Sequence, residues 1–221
     1  FTDLVARTPD GQLLTHKLLS ENPEVYEDAA LQGIRDLLNI AKDVSLPADT
    51  IDAVKMGTTV ATNALLERKG DATLLVVTKG FRDQLRIAYQ ARPRLFDKEI
   101  ILPEMLYDRV EEETERIDAN DNIITPLDLD DLAPRLESAF NDCVRSIAIV
   151  LMHGYRVPVH ELAIAELARR IGFTQISTSH RTSPIIKFVG RGDTTVADAY
   201  LSPILRRYID RLARDVDQSQ G

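Results

Sequence analysis

Apolar and polar positions along the chain fall into short runs of strand and helix period. Leu4–Ala6 and Leu13–Leu18 are β-rich runs that flank Thr8-Pro9-Asp10-Gly11, a hairpin turn signal. Asn22-Pro23 opens a helix that carries Ala29, Ala30, Ile34, Leu37 and Leu38 near helical spacing. An apolar run from Ile51 predicts a strand at Val54–Met56. A helix at Val60–Lys69 follows and stops at Gly70. Ala72–Val77 reads as a buried strand and Phe81–Ile87 as a short helix. From Leu127 a helix runs to about Asn141. Ser146–Met152 reads as a buried strand, Val159–Ile171 as a helix and Thr174–Ser177 as a strand. The last helix, about Val196 to Val216, repeats Ala199, Tyr200, Ile204, Leu205, Tyr208, Ile209 and Leu212 at helical spacing.

This rhythm divides the chain into an α/β segment at 1–87, an irregular or β insertion at 88–126, and a second α/β segment at 127–221. Arg92-Pro93 and Leu102-Pro103 punctuate the insertion. Val110–Ile117, with Glu111, Glu112, Glu113 and Glu115, reads as a solvated edge strand rather than a metal site, because no Asp/Gly ligand loop accompanies it. Asp118-Ala119-Asn120-Asp121-Asn122 reads as a turn.

Composition narrows the function classes. The chain is 221 residues long, 44% hydrophobic, with a net charge of −8. That supports a sizeable core and argues against nucleic acid or an anionic membrane as partner. No apolar run approaches the roughly 20 residues of a membrane span. The single Cys143 excludes an internal disulfide and fits a reducing, cytoplasmic setting. It reads as a small buried side chain on a helix. The four histidines show no His-x-x-x-His pair, and neither a serine-hydrolase elbow nor a P-loop is present.

Candidate chemistry concentrates at strand-to-helix corners. Gly57-Thr58-Thr59 precedes a helix start, where free N–H groups and the helix dipole favour an anion; the same threonines serve equally as ordinary caps. Arg82, Arg86, Tyr89 and Arg92 form a cationic stretch after the next strand. It suits a substrate carboxylate or phosphoryl oxygen, or surface ion pairs with Asp83 and nearby Glu. Arg191 and Asp193 precede the final helix as substrate contacts or as its cap.

Several of these segments resemble one family. Phe1-Thr2-Asp3 is similar to the tail of the Gly-Gly-Thr-Phe-Thr-Asp phosphate loop that opens the hydantoinase A / ATP-dependent 5-oxoprolinase family. Gly57–Gly70, Thr78-Lys79-Gly80-Phe81-Arg82-Asp83, Leu151–Tyr155 and Gly190-Arg191-Gly192-Asp193-Thr194-Thr195 resemble further motifs in the family's order. The resemblance implies a ribonuclease H-like (actin-like ATPase, sugar-kinase superfamily) mixed sheet with helices, plus a second α/β segment. It implies a partial domain whose first strand would precede Phe1. ATP and Mg²⁺ are the implied cofactors. Thr2, Gly57, Thr58 and Thr59 would face the nucleotide, and Asp3 would be the catalytic carboxylate holding a Mg²⁺-bound water.

The implied reaction opens a cyclic amide, 5-oxoproline or a hydantoin, by phosphorylating the amide oxygen. Alternatives are an ATP-using ketone carboxylase subunit of the same family and a non-catalytic actin-like interaction domain. The implied partners are the remainder of the polypeptide or a second hydantoinase-type subunit, with a homo-oligomer left open. The family's second phosphate loop would lie after Gly221, so the chain alone is expected to be inactive.

Overall fold

In the computed structural model, placement is described for all residues except 21, 27, 42–43, 45–49, 91–95, 97, 100, 103 and 218–221. The chain forms two compact units: Phe1–Gly57 with Arg207–Gly221, and Thr58–Arg206.

The first unit is built on a hairpin. β1 (Thr2–Arg7) pairs antiparallel with β2 (Leu13–Leu18) across the predicted turn. Gly11 adopts φ +87°, a conformation that costs glycine little. α1 (Ala29–Leu38) starts at Asp28, whose carboxylate accepts from Ala30 N at 2.8 Å and Leu31 N at 2.9 Å. Two otherwise orphaned donors are thereby satisfied. The helix thus begins later than Asn22-Pro23, which instead lies in a tight turn bridged from Asn22 to Tyr26. α1 packs closely on one hairpin face: a Cβ on Gly33 would lie 2.4 Å from Leu4 Cδ1 and 3.1 Å from Leu18 Cδ2. Val54–Met56 forms no strand. Val54 and Met56 are exposed, so the apolar run has no core to enter.

The second unit is a layered α/β fold. In chain order it contains α2 (Val60–Leu66), β3 (Thr73–Thr78), α3 (Gln84–Ile87), β4 (Arg109–Glu113), β5 (Arg116–Ile117) and β6 (Ile123–Thr125). α4 (Leu129–Asn141), β7 (Ser146–Val150), α5 (Val159–Ile171), β8 (Gln175–Thr178), α6 (Ser179–Thr182) and the start of α7 (Phe188–Asp217), whose residues from Arg207 belong to the first unit, follow. β4, β3, β7 and β8 form, in that order, a wholly parallel four-stranded sheet. β5 and β6 make a separate hairpin around the expected Asp118–Asn122 turn.

All six residues of β3 and all five of β7 are buried. On one face Leu74, Val76, Ile147 and Ile149 pack with Leu132 and Leu136 of α4 and Ile164 and Ala168 of α5. On the other, Leu75, Val77, Ala148 and Val150 pack with Leu85 of α3 and Phe188, Val196 and Ala199 of α7. A parallel sheet covered on both faces explains why these strands read as continuous apolar runs. The sheet joins β3 and β4 to β7 and β8, so its pairing crosses both segment boundaries drawn at 87 and 126.

Three local expectations are overturned. Cys143 is exposed at φ +65°, one residue beyond the Asp142 cap of α4, not on the helix. Glu113 and Glu115 are buried, not solvated. α7 begins at Phe188, so Asp193, Thr194 and Thr195 lie inside it and do not cap it. The threonine hydroxyls instead donate back to the carbonyls of Gly190 and Arg191 at 2.8 and 2.7 Å.

Candidate functional site

The sheet order places a topological switch point between β3 and β7: the chain leaves β3 towards β4 on one side and returns to β7 on the other. In open parallel sheets the crevice beyond the C-terminal strand ends at such a point is where ligands bind. Here that edge is dense in buried polar groups.

Three of these groups hold the turn that follows β7. Thr78 Oγ1, at the end of β3, accepts from Met152 N at 2.9 Å and donates to Glu115. Glu161, wholly buried on α5, accepts from Leu151 N at 3.0 Å, Ser179 Oγ at 2.5 Å and His180 N at 3.1 Å, and pairs with His180 Nδ1 at 2.7 Å. Arg191, wholly buried, donates from Nη2 to the carbonyls of Leu151 at 2.6 Å and Met152 at 3.1 Å, and from Nη1 to Ile185 O at 2.9 Å. Its guanidinium lies 5.2 Å from the Tyr155 ring centroid. Burial pulls the Arg191 pKa down, and the negative charge of Glu161 opposes that pull. Gly154 is required by this packing, because a Cβ there would lie 2.2 Å from Glu161 Oε1.

Two histidines complete the edge. His160 Nδ1 pairs with the buried carboxylate of Glu115 at 2.8 Å. His153 Nδ1 lies 2.5 Å from the carbonyl of Ile117. Because a carbonyl only accepts, Nδ1 must carry the proton. The acidic residues of β4 are likewise committed. Glu113 accepts from Arg135 Nη2 at 3.0 Å, and burial raises its pKa despite the opposing Asp128 N–H and Arg135 charge. Glu112 accepts from Gly80 N at 2.7 Å, so the Lys79-Gly80 corner is closed by the protein's own carboxylate.

The residues singled out in the sequence are distributed as follows. Thr2 and Asp3 lie on β1 in the first unit. Thr2 Oγ1 is 3.0 Å from Ser20 Oγ, and Asp3 is paired with Lys17 Nζ at 3.1 Å, both side chains largely exposed. Gly57 ends the first unit and Thr58 begins the second. Thr58 Oγ1 accepts from Val60 N at 3.1 Å, whereas the Thr59 hydroxyl makes no cap bond. Arg82 and Arg86 line a cavity of about 490 Å³ with Asp83, Tyr107 and Asp108. Arg82 Nη1 donates to Val110 O at 3.1 Å. Burial raises the Tyr107 pKa, with Arg86 opposing and Asp83 and Asp193 reinforcing the rise. Partial burial also raises the Asp193 pKa. Tyr89 is exposed, and its hydroxyl lies beside Gly190. Arg92 lies outside the described residues. The structure thus groups Arg82, Arg86, Tyr107 and Asp193. It sets Arg191 apart as a buried group whose Nη atoms are spent on the backbone.

Sequence reasoning gave no site role to Glu161, Glu115, Thr78 or Lys17. Glu161 was discoverable: with Ile164, Ala165 and Ala168 it occupies the i, i+3, i+4, i+7 stripe of α5, and a carboxylate on a core-facing stripe calls for a buried partner. Lys17 follows from hairpin register, which sets it opposite Asp3. No comparable signal marks Glu115. Among the described residues no group of three or more His, Cys, Asp or Glu could hold a metal, and no helix is long and apolar enough to cross a membrane.

Comparisons with known proteins agree on one family. A 5-oxoprolinase from Dictyostelium discoideum is 38% identical over 252 residues, covering 100% of this chain and 20% of that protein. The 5-oxoprolinase 1 of Arabidopsis thaliana is 39% identical over 249 residues, with the same coverage of 100% and 20%. The chain therefore spans about a fifth of the length of these curated relatives. Among solved structures, an ATP-dependent caprolactamase from Pseudomonas jessenii superposes with a TM-score of 0.76 at 25% identity, over 98% of this chain and 32% of that one. A nucleotide-free acetone carboxylase superposes with a TM-score of 0.74 at 18% identity, over 98% and 33%. These likenesses give the fold: α/β with a parallel sheet, of the actin-like ATPase, ribonuclease H-like kind. The family model described as the hydantoinase/oxoprolinase N-terminal region matches residues 1–172, and the chain belongs to that family.

Proposed function

We propose that this chain is the N-terminal part of an enzyme that opens a cyclic amide, 5-oxoproline or a hydantoin, at the expense of ATP. The observation that carries this reading is end-to-end similarity of the chain to proteins named 5-oxoprolinases, at 38% and 39% identity. The chemistry has a clear rationale. An unstrained cyclic amide is a poor electrophile, and phosphorylating its oxygen supplies a leaving group and couples ring opening to ATP. Protein assistance to such a transfer is mainly positioning and charge neutralisation.

The residues present are compatible with a nucleotide and Mg²⁺. Asp3 offers a hard, largely exposed carboxylate oxygen, suited to a cation that keeps most of its waters. The Lys17 ammonium beside it adds a positive charge suited to a phosphate oxygen. Thr2, Gly57, Thr58 and Thr59 would contribute hydroxyl and backbone N–H groups; a Cβ on Gly57 would meet nothing within 4 Å, so its backbone is open to approach. The magnesium nucleotide would supply the phosphoryl group. Arg82 and Arg86 would contact substrate through the cavity beside β4, with Tyr107 at its wall and Asp193 adding negative charge near that tyrosine. Arg191 acts instead by fixing the turn after β7. The remainder of the polypeptide or a second hydantoinase-type subunit would complete the site, in a cytoplasmic setting.

The test is an assay of the full-length enzyme with 5-oxoproline, hydantoins, and acetone with bicarbonate, each with MgATP. Cyclic-amide turnover that collapses in Asp3→Ala and Thr58→Ala supports the reading. Turnover of the ketone alone would replace it with a carboxylase.

A further inference from the structure

The cavity beside β4, at about 490 Å³, has the size of a small-molecule site. Its arginines are Arg82, Arg86 and Arg109, and its acidic residues are Asp83, Glu104 and Asp108. Some of these charges are committed to the protein. Arg109 pairs with Glu111 at 2.8 Å and with Asp142 at 3.3 Å. Asp108 accepts from Thr73 N at 2.8 Å, and Arg82 Nη1 is anchored on Val110 O at 3.1 Å. Arg86 differs from them. It is exposed, and its guanidinium makes no hydrogen bond or ion pair with any described residue, Asp83 one turn earlier included. Its positive charge is nevertheless felt at Tyr107, on the same cavity wall. Burial raises the Tyr107 pKa, so the phenol keeps its proton and can donate it in a hydrogen bond at neutral pH.

An unpaired guanidinium beside a phenolic donor suits an oxyanion. The charge of that oxyanion is limited by the walls. Asp83 and Glu104 would repel a phosphoryl group carrying about two negative charges, whereas a carboxylate brings one, which Arg86 matches. Among the candidate substrates, 5-oxoproline carries a carboxylate on its ring; an unsubstituted hydantoin and a simple ketone carry none. We propose that Arg86 is a specificity-determining residue that pairs with a carboxylate borne on the ring of the cyclic amide. The inference rests on the cyclic-amide reading of the function.

The test uses the full-length enzyme with MgATP and two lactams, 5-oxoproline and its carboxamide, which keeps the ring and loses the charge. kcat/KM for each is measured in wild type, Arg86→Gln and Arg86→Lys. Wild type is expected to favour 5-oxoproline by at least about tenfold. In Arg86→Gln the preference should fall to near parity through a higher KM for 5-oxoproline, with MgATP affinity unchanged. Arg86→Lys keeps the charge and should retain part of the preference. A preference that persists in Arg86→Gln, an equal loss for both lactams, or no preference in wild type overturns the proposal and leaves the cyclic-amide reading intact. Failure of wild type to turn over any cyclic amide overturns both, and is read before the variants are made.

Discussion

The C-terminal edge of the parallel sheet and the β1–β2 hairpin use polar residues in opposite ways. At the sheet edge Glu161, Glu115, Arg191 and Thr78 are buried and hydrogen-bonded by the protein itself, with the Nε of Arg191 left without a partner among the described residues. On the hairpin, Asp3 is 68% exposed and pairs with the 59% exposed ammonium of Lys17. A buried, saturated polar network fixes backbone positions and contributes to stability. An exposed carboxylate contributes little to stability and is available for chemistry. Under the proposed function the buried set builds geometry and the exposed pair is offered to a ligand.

The largest expected effect lies at the buried end. Glu161→Ala leaves Leu151 N, His180 N and the Ser179 hydroxyl without their acceptor. It should cost about 3–5 kcal/mol, read by urea denaturation. A loss under about 1 kcal/mol would mean that water replaces the carboxylate and the network is not structural. Next, Gly154→Ala forces a methyl against Glu161 and should cost roughly 1–3 kcal/mol, visible as a lower Tm.

Glu113 gives a pH test. Its folded pKa is raised by burial, so the folded state holds this proton more tightly than the unfolded chain. The stability this provides is fully present below the ordinary value of 4.5 and is lost as pH rises through the folded pKa. The stability of Glu113→Gln relative to wild type should therefore improve as pH rises from about 4 to 7. A gap that widens against the variant would show that the Arg135 pairing outweighs burial. The smallest stability effect belongs to the hairpin: Asp3→Ala should change unfolding free energy by no more than about 0.5 kcal/mol. Its turnover should nevertheless fall at least about a hundredfold. A large stability loss in Asp3→Ala would erase the contrast between the two regions.

Much of this was legible in the sequence where local pattern and tertiary burial agree. α5 occupies Val159–Ile171 as its periodicity predicts, and β7 begins at Ser146. The Val54–Met56 strand failed because an apolar run becomes a strand only where a sheet accepts it. The Asp193-Thr194-Thr195 start signal failed because the apolar pair Phe188 and Val189 packs as the first turn of α7, extending the helix backwards. The Glu-rich stretch around β4 was misread because charge in a sequence reports solvent only when no partner lies elsewhere in the chain. Arg135, 22 residues beyond Glu113, and His160, 45 beyond Glu115, are such partners. The family motifs located the corners, but which of them are saturated became visible only in three dimensions.

The central claim is tested most directly by coupling. Full-length enzyme is incubated with MgATP and 5-oxoproline or a hydantoin, and ADP and ring-opened product are quantified together over time. The account predicts that the two appear in equal amounts, that ADP release falls to background without the cyclic amide, and that both are lost together in Asp3→Ala. ADP release that is indifferent to every cyclic amide, or that requires a ketone and bicarbonate instead, would contradict it.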